Sequence, residues 1–244
     1  MSSLEIIFQD PHLIVINKPC GLLAVPGRGA DKADCALSRL SLQFKDALLV
    51  HRLDQATSGL MVFARTQHVQ RELSKSFAAQ TIHKTYLAVV HGQAIPTQNW
   101  NRIETSIGPD WPNRPKQKLD PLGKPSLTLW RSLSADVETK TSVLVLRPLS
   151  GRTHQLRVHL MSSGLPIVGD TLYSSDSSDS RHEGVDPRVE ASRMHLHAYQ
   201  LAFTHPISAE WLEFSVRPDF LAHMPLDDLL FELSQNKEHK PISI

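Results

Sequence analysis

The feature that most constrains this chain is a succession of short β-type segments along its length, broken by a few helical periodicities. Residues 6–8 and 13–17 read as strands around an Asp10-Pro11 turn, and residues 48–50 and 60–65 as apolar strands flanking a polar stretch. Thr66 is placed to cap a helix running to about Gln80, with Val69, Leu73, Phe77 and Ala78 on one face. Residues 86–90, 126–133 and 142–147 are again β-like, a second helix starts near Thr153 with Leu156, Leu160 and Met161 as its buried stripe, and 196–203 and 211–216 alternate as late strands. Strands and helices do not alternate regularly, so the pattern predicts an α+β fold with a mixed or largely antiparallel sheet. Residues 93–101 and 174–193 have loop composition, and the tail from Pro225 spaces Leu226, Leu229, Leu230 and Leu233 as a short amphipathic helix.

Composition narrows the function classes. At 244 residues and 41% hydrophobic, the chain can bury a sizeable core in one elongated domain or two small ones. Two cysteines, Cys20 and Cys35, are too few for a disulfide framework or a four-thiolate zinc site. No apolar run approaches a membrane span, and the N-terminus lacks the order of a signal peptide, so a cytoplasmic protein is expected. The net charge of +1 argues against attraction of nucleic acid by bulk charge. Its distribution argues otherwise: residues 51–92, 102–131 and 139–173 carry +3 each, leaving −8 for the remainder. That is the footprint of a basic cleft on an acidic body, suited to a polyanion. Within it, DWPNRPKQK (110–118) sets Trp111 among Arg114, Lys116 and Lys118 in a Pro-stiffened segment able to reach phosphates and stack on a base.

Two motifs carry candidate chemistry. HRLDQATSGL (51–60) is a polar run with one carboxylate, set between apolar strands. Asp54 suits a nucleophile or general base if a cation holds it ionised, with Thr57, Ser58 and Gly59 forming a tight turn. The alternative is a local Asx-turn in which the Asp54 carboxylate caps Thr57 and Ser58. In GRTHQLRVH (151–159), Arg152 lies at a helix start and Arg157 can aim its fork at Asp54; the alternative is a solvated helix face. Lys84 and Tyr86 share one strand face, where a tyrosine can stack on a planar base or simply lie half-buried. Thirteen histidines include His195-x-His197, but no third ligand accompanies them at diagnostic spacing, so no metal is expected. Cys20 has no His partner by motif, and the chain has no phosphate-cradling glycine loop or dinucleotide fingerprint.

HRLDQATSGL resembles the active-site signature HRLD-x-x-TSG of the RluA family of pseudouridine synthases. The resemblance continues in order through Asn17-Lys18-Pro19-x-Gly21-Leu22, Lys84-x-Tyr86, GRTHQLRVH and Gly169-Asp170-x-x-Tyr173, spanning about residues 5 to 218. DWPNRPKQK followed by Gly123-Lys124-Pro125 is similar to the bacterial branch that modifies transfer RNA and large-subunit ribosomal RNA. The resemblance implies the pseudouridine synthase fold, a long, mostly antiparallel mixed sheet with a central catalytic cleft and flanking helices. It makes residues 1–218 the catalytic domain, without an S4 domain, and residues 219–244 a C-terminal extension. It implies Asp54 as catalytic aspartate, Arg157 as its salt-bridge partner, Tyr86 packing on the uracil, and Arg52 entering the gap left by the flipped uridine. His51, Thr57, Lys84, Arg114, Lys116, Lys118, Arg152 and His154 complete the expected RNA contacts.

The targets implied are the uridine at position 32 of the tRNA anticodon loop and that at position 746 in a 23S rRNA hairpin, met by a monomer. The isomerisation breaks N1–C1′ and joins C5 to C1′ with no net gain or loss of atoms, so no redox cofactor or metal is required. Alternatives are a relative acting on another tRNA uridine such as position 65, or on rRNA alone; a non-catalytic RNA-binding protein or chaperone; and a nucleosidase using one carboxylate.

Overall fold

Seven consecutive buried residues, Ser58–Ala64, form a strand that needs partners on both edges and both faces. The computed structural model, which describes residues 3–27, 29, 32–173 and 191–224, supplies them. In chain order the elements are β1 (Glu5–Gln9), β2 (Leu13–Lys18), α1 (Ala36–Ser41), β3 (Leu48–Leu49), β4 (Ser58–Ala64), α2 (Gln67–Ala78) and β5 (His83–His91). They continue with β6 (Asn101–Pro109), β7 (Gln117–Leu119), β8 (Lys124–Asp136), β9 (Thr141–Pro148), α3 (Gln155–Ser162), β10 (Leu196–Thr204) and β11 (Trp211–Ser215). Among the described residues the strands form one sheet in the order β1-β2-β4-β10-β5-β9-β8-β6-β7, with β3 beside β4 and β11 beside β10. Its strand pairs are antiparallel except for β4 and β10, which run parallel at Ser58–His197 and Gly59–Ala198. This is the α+β architecture expected.

That parallel junction joins the third and fourth strands of this order, and the sequence is cut to fit it. Gly59 has φ +110°, and a Cβ there would collide with the Ala198 backbone. Gly169, at φ +74°, passes equally close to the Arg193 carbonyl. On one face, Ile14, Ile16, Met61 and Phe63 pack under α1, while Ala88, Val90, Leu144 and Leu146 pack under α3. Tyr86 touches both clusters and so marks the trough between them. The opposite face is closed by α2 through Val69, Leu73 and Phe77.

The strand and α2 positions follow the apolar pattern, and Thr66 caps α2 by accepting the Val69 N–H at 3.2 Å. Three differences have physical causes. Ala78 is exposed, because it lies in the last turn where the helix runs past the sheet. α3 starts at Gln155, two residues late, since residues 150–154 are held by side-chain bonds instead of helical ones. β6, β7 and α1 were not predicted: β6 and β7 lie at the sheet's polar edge with little apolar alternation, and α1 has only six residues. The Pro225 tail and residues 174–190 of the proposed loop lie outside the described residues.

Candidate active site

The Asp54 loop is held from below by the Asn17-Lys18-Pro19 turn. Lys18 is fully buried, and its ammonium donates to the carbonyls of Leu22 (2.7 Å), Pro19 (2.9 Å) and, from the loop, Gln55 (3.2 Å). Burial pushes its pKa down to about 8, against the pull of Cys20 and Asp54. The Gly21 N–H also donates to Gln55 O at 2.9 Å, and Cys20 Sγ to Ala56 O at 3.0 Å. The loop then turns through Thr57 N–H to Asp54 O at 3.1 Å. Its closing acceptor is thus the Asp54 backbone carbonyl, and the carboxylate is left for the cleft. Ser58 and Gly59 belong to β4, so the turn ends two residues earlier than expected.

Arg157 reaches this carboxylate from α3, with Nη1 3.6 Å from Asp54 Oδ2. Its tighter partner is Asp170, bound bidentately through Nε and Nη2 at 2.7 Å each. Asp170 also accepts the N–H groups of Leu172 and Tyr173. Burial works against the Arg157 charge, but the Asp170 fork outweighs it and raises the pKa. Residues 155–160 of α3 are all buried, so a solvated helix face is excluded. The Gln155 amide secures the approach to the helix, accepting from Ser150 Oγ and Arg152 N and donating to Leu127 O and Thr128 Oγ1.

Two cavities meet at Asp54. A chamber of about 260 Å³ is lined by Arg52, Asp54, Thr57, Lys84, Tyr86, Arg152, His154 and Arg157, among others, so it gathers eight of the singled-out residues. A wider cleft of about 1190 Å³ shares Arg52, Asp54, His154 and Arg157 with it and extends along Lys18, Arg193 and Arg217. Burial, then the Asp54 charge, raises the Tyr86 pKa, so its hydroxyl stays protonated. Burial lowers the Lys84 pKa to about 8. Arg114 and Lys118 stand exposed on the 110–118 arm with Lys116 half-buried, and the Arg114 guanidinium stacks 4.4 Å from the Trp111 ring; Pro115 of the same arm lines the wide cleft.

His51 corrects one expectation. Its ring stacks on Phe77 at 4.5 Å and its Nε2 accepts the Val62 N–H. Burial lowers its pKa to about 3, so it is a neutral part of the framework and lines neither cavity. Lys18, Gln155, Asp170 and Tyr173 were assigned no role from sequence. The available signal was charge or amide beside apolar residues, as in Ile167-Val168-Gly169-Asp170.

The family model for RNA pseudouridylate synthase matches residues 12–162, more than half of the chain and the whole span from β2 through α3. The chain belongs to this family. The synthase is 42% identical over 214 residues to the dual-specificity RNA pseudouridine synthase RluA of Vibrio parahaemolyticus, covering 85% of this chain and 80% of the relative. It is 39% identical to the protein of the same name in Escherichia coli over 218 residues, covering 89% and 94%. Among solved structures, human RNA pseudouridylate synthase domain containing 1 superposes on it with a TM-score of 0.73 at 27% identity, covering 98% and 96%. The synthase therefore has the pseudouridine synthase fold and isomerises uridine to pseudouridine in RNA.

Proposed function

We propose that this synthase acts on two RNAs, at the uridine at position 32 of the tRNA anticodon loop and at position 746 of 23S rRNA, as a cytoplasmic monomer. The observation that carries the reading is the meeting of the small chamber and the basic cleft at one ionisable carboxylate, Asp54. A target base must leave its stack to react, at a cost of about a few kcal/mol. The chamber offers a flipped nucleoside Tyr86 for stacking, while the exposed Arg52 between the cavities is placed to fill the gap in the RNA. The 110–118 arm, with its Arg114–Trp111 stack, supplies phosphate and base contacts beyond the cleft. Dual targets are favoured because the relatives matched over most of the chain are named as dual-specificity enzymes.

In the reaction Asp54, faced by the Arg157 guanidinium at 3.6 Å, attacks C1′ or removes the C2′ proton to form a glycal. Either route breaks N1–C1′, after which the uracil turns and C5 bonds to C1′, as the Asp54–C1′ bond breaks on the first route or C2′ regains its proton on the second. The proton lost from C5 goes to a base, and overall one proton is gained at N1. Asp54 and Tyr86 both line the chamber in which that proton is released. The test is a map of modified uridines in RNA from a deletion strain, with purified protein assayed on both hairpins. Loss of modification at both positions supports the reading, whereas loss at another uridine or in rRNA alone replaces it.

A further inference from the structure

Beyond the residues already assigned, a connected group reaches Asp54 from the RNA-facing arm. The Gln117 backbone N–H donates to the Tyr173 hydroxyl at 2.7 Å, and that hydroxyl lies 2.7 Å from His154 Nδ1. His154 Nε2 in turn lies 3.9 Å from Asp54 Oδ2. The amide can only donate, so the hydroxyl accepts there and keeps its own hydrogen available for Nδ1. With that hydrogen directed to Nδ1, the neutral ring carries its own on Nε2, facing the carboxylate. His154 holds this position with φ +55°. A non-glycine residue rarely adopts that region and persists there where its surroundings over-determine it. Tyr173 is fixed too, its ring 5.0 Å from the Arg157 guanidinium and its N–H on Asp170.

We propose that Gln117, Tyr173 and His154 form a positioning relay that holds His154 as its neutral Nε2–H tautomer, orients the Asp54 carboxylate, and ties that orientation to the seating of the 110–118 arm on RNA. It rests on the reading of Asp54 as the reacting group. The 3.9 Å spacing between Nε2 and Asp54 is of the kind that unliganded active sites often show for bonds made with substrate in place. A neutral donor orients the carboxylate without neutralising it, as an imidazolium would.

The charged groups facing His154 are Asp54, Arg157, Asp170 and Arg52. Burial lowers its pKa, with the two aspartates opposing that shift and the two arginines adding to it. The Tyr173 hydrogen bond acts in the same direction as burial, because an imidazolium has no lone pair at Nδ1 to accept it.

The test is Tyr173→Phe, which keeps the ring beside Arg157 and removes the hydroxyl. At saturating RNA the single-turnover rate is expected to fall about tenfold, with Kd changed less than about threefold. The acid limb of the rate profile moves up by about one pH unit, since Nδ1 is now free to protonate. Independently, His154→Gln, whose amide N–H stands in for Nε2–H, retains more rate than His154→Ala. An unchanged rate and acid limb in Tyr173→Phe, a loss confined to Kd, or equal rates for the Gln and Ala variants overturns the relay. Asp54→Asn run alongside separates the two readings: normal turnover there removes the role of Asp54, whereas an inactive Asp54→Asn with wild-type Tyr173→Phe removes the relay alone.

Discussion

Two aspartates share one arginine, and the fold treats them in opposite ways. Asp170 has a side chain 1% exposed, with both oxygens taken by the Arg157 fork and Oδ1 accepting two backbone N–H groups as well. Asp54 has a side chain 20% exposed, with the Arg157 guanidinium at 3.6 Å and the His154 ring at 3.9 Å. A saturated carboxylate is a fixture, whereas one lacking close partners is available to a substrate. Because Asp170 already engages Arg157, the arginine faces Asp54 without capturing it. Had the 2.7 Å fork closed on Asp54, the group meant to react would have been tied up.

Breaking the fixture has the largest expected effect. Asp170→Asn leaves the buried Arg157 charge under-compensated, costing about 3 kcal/mol and lowering Tm by about 6–12 °C in a thermal melt. Next comes Arg157→Lys, which keeps a charge but cannot bind Asp170 bidentately. Its single-turnover rate falls about 100-fold, roughly 2.7 kcal/mol; a wild-type rate would show that charge alone suffices. Changes on the arm act on binding: Arg114→Ala or Lys116→Ala raises Kd about tenfold and reduces the salt slope by about one. Collapse of turnover at saturating RNA would instead put the arm in the reaction.

The smallest effect contrasts two histidines near α3. His159, fully buried with ring bonds to Ser126, Thr105 and Thr128, has its pKa lowered by burial to about 4 from 6.5. The unfolded chain takes that proton first, so the contribution is complete above pH 6.5 and is lost as pH falls toward 4. Thermal melts should show Tm falling through that window, with a shallower slope in His159→Gln. Protonation at His154 acts on the rate instead.

Much of this arrangement is legible in the chain because apolar runs mark strands such as β2, β5, β9 and β10, and the polar HRLD run interrupts them conspicuously. His51 was misread for a reason the same backbone supplies. Successive residues of an extended segment point in opposite directions, so His51 turns toward Phe77 and Leu53 into the core, while Arg52 and Asp54 face the cleft. The grip of Lys18 on Gln55 O spans 37 residues, and the Tyr173 bond to Gln117 spans 56. Such contacts depend on how the sheet is ordered, which local pattern does not encode. The Arg157–Asp170 fork spans only 13 residues, yet it is hidden by the nearer expectation that Arg157 serves Asp54 alone.

The claim that Asp54 reacts while Asp170 only holds is tested most directly by one variant, Asp54→Asn, measured for single-turnover pseudouridine formation, RNA affinity and Tm. The account predicts no product, a Kd within about tenfold of wild type, roughly 1.4 kcal/mol, and a Tm no lower than wild type. Near-normal product formation by Asp54→Asn would contradict it.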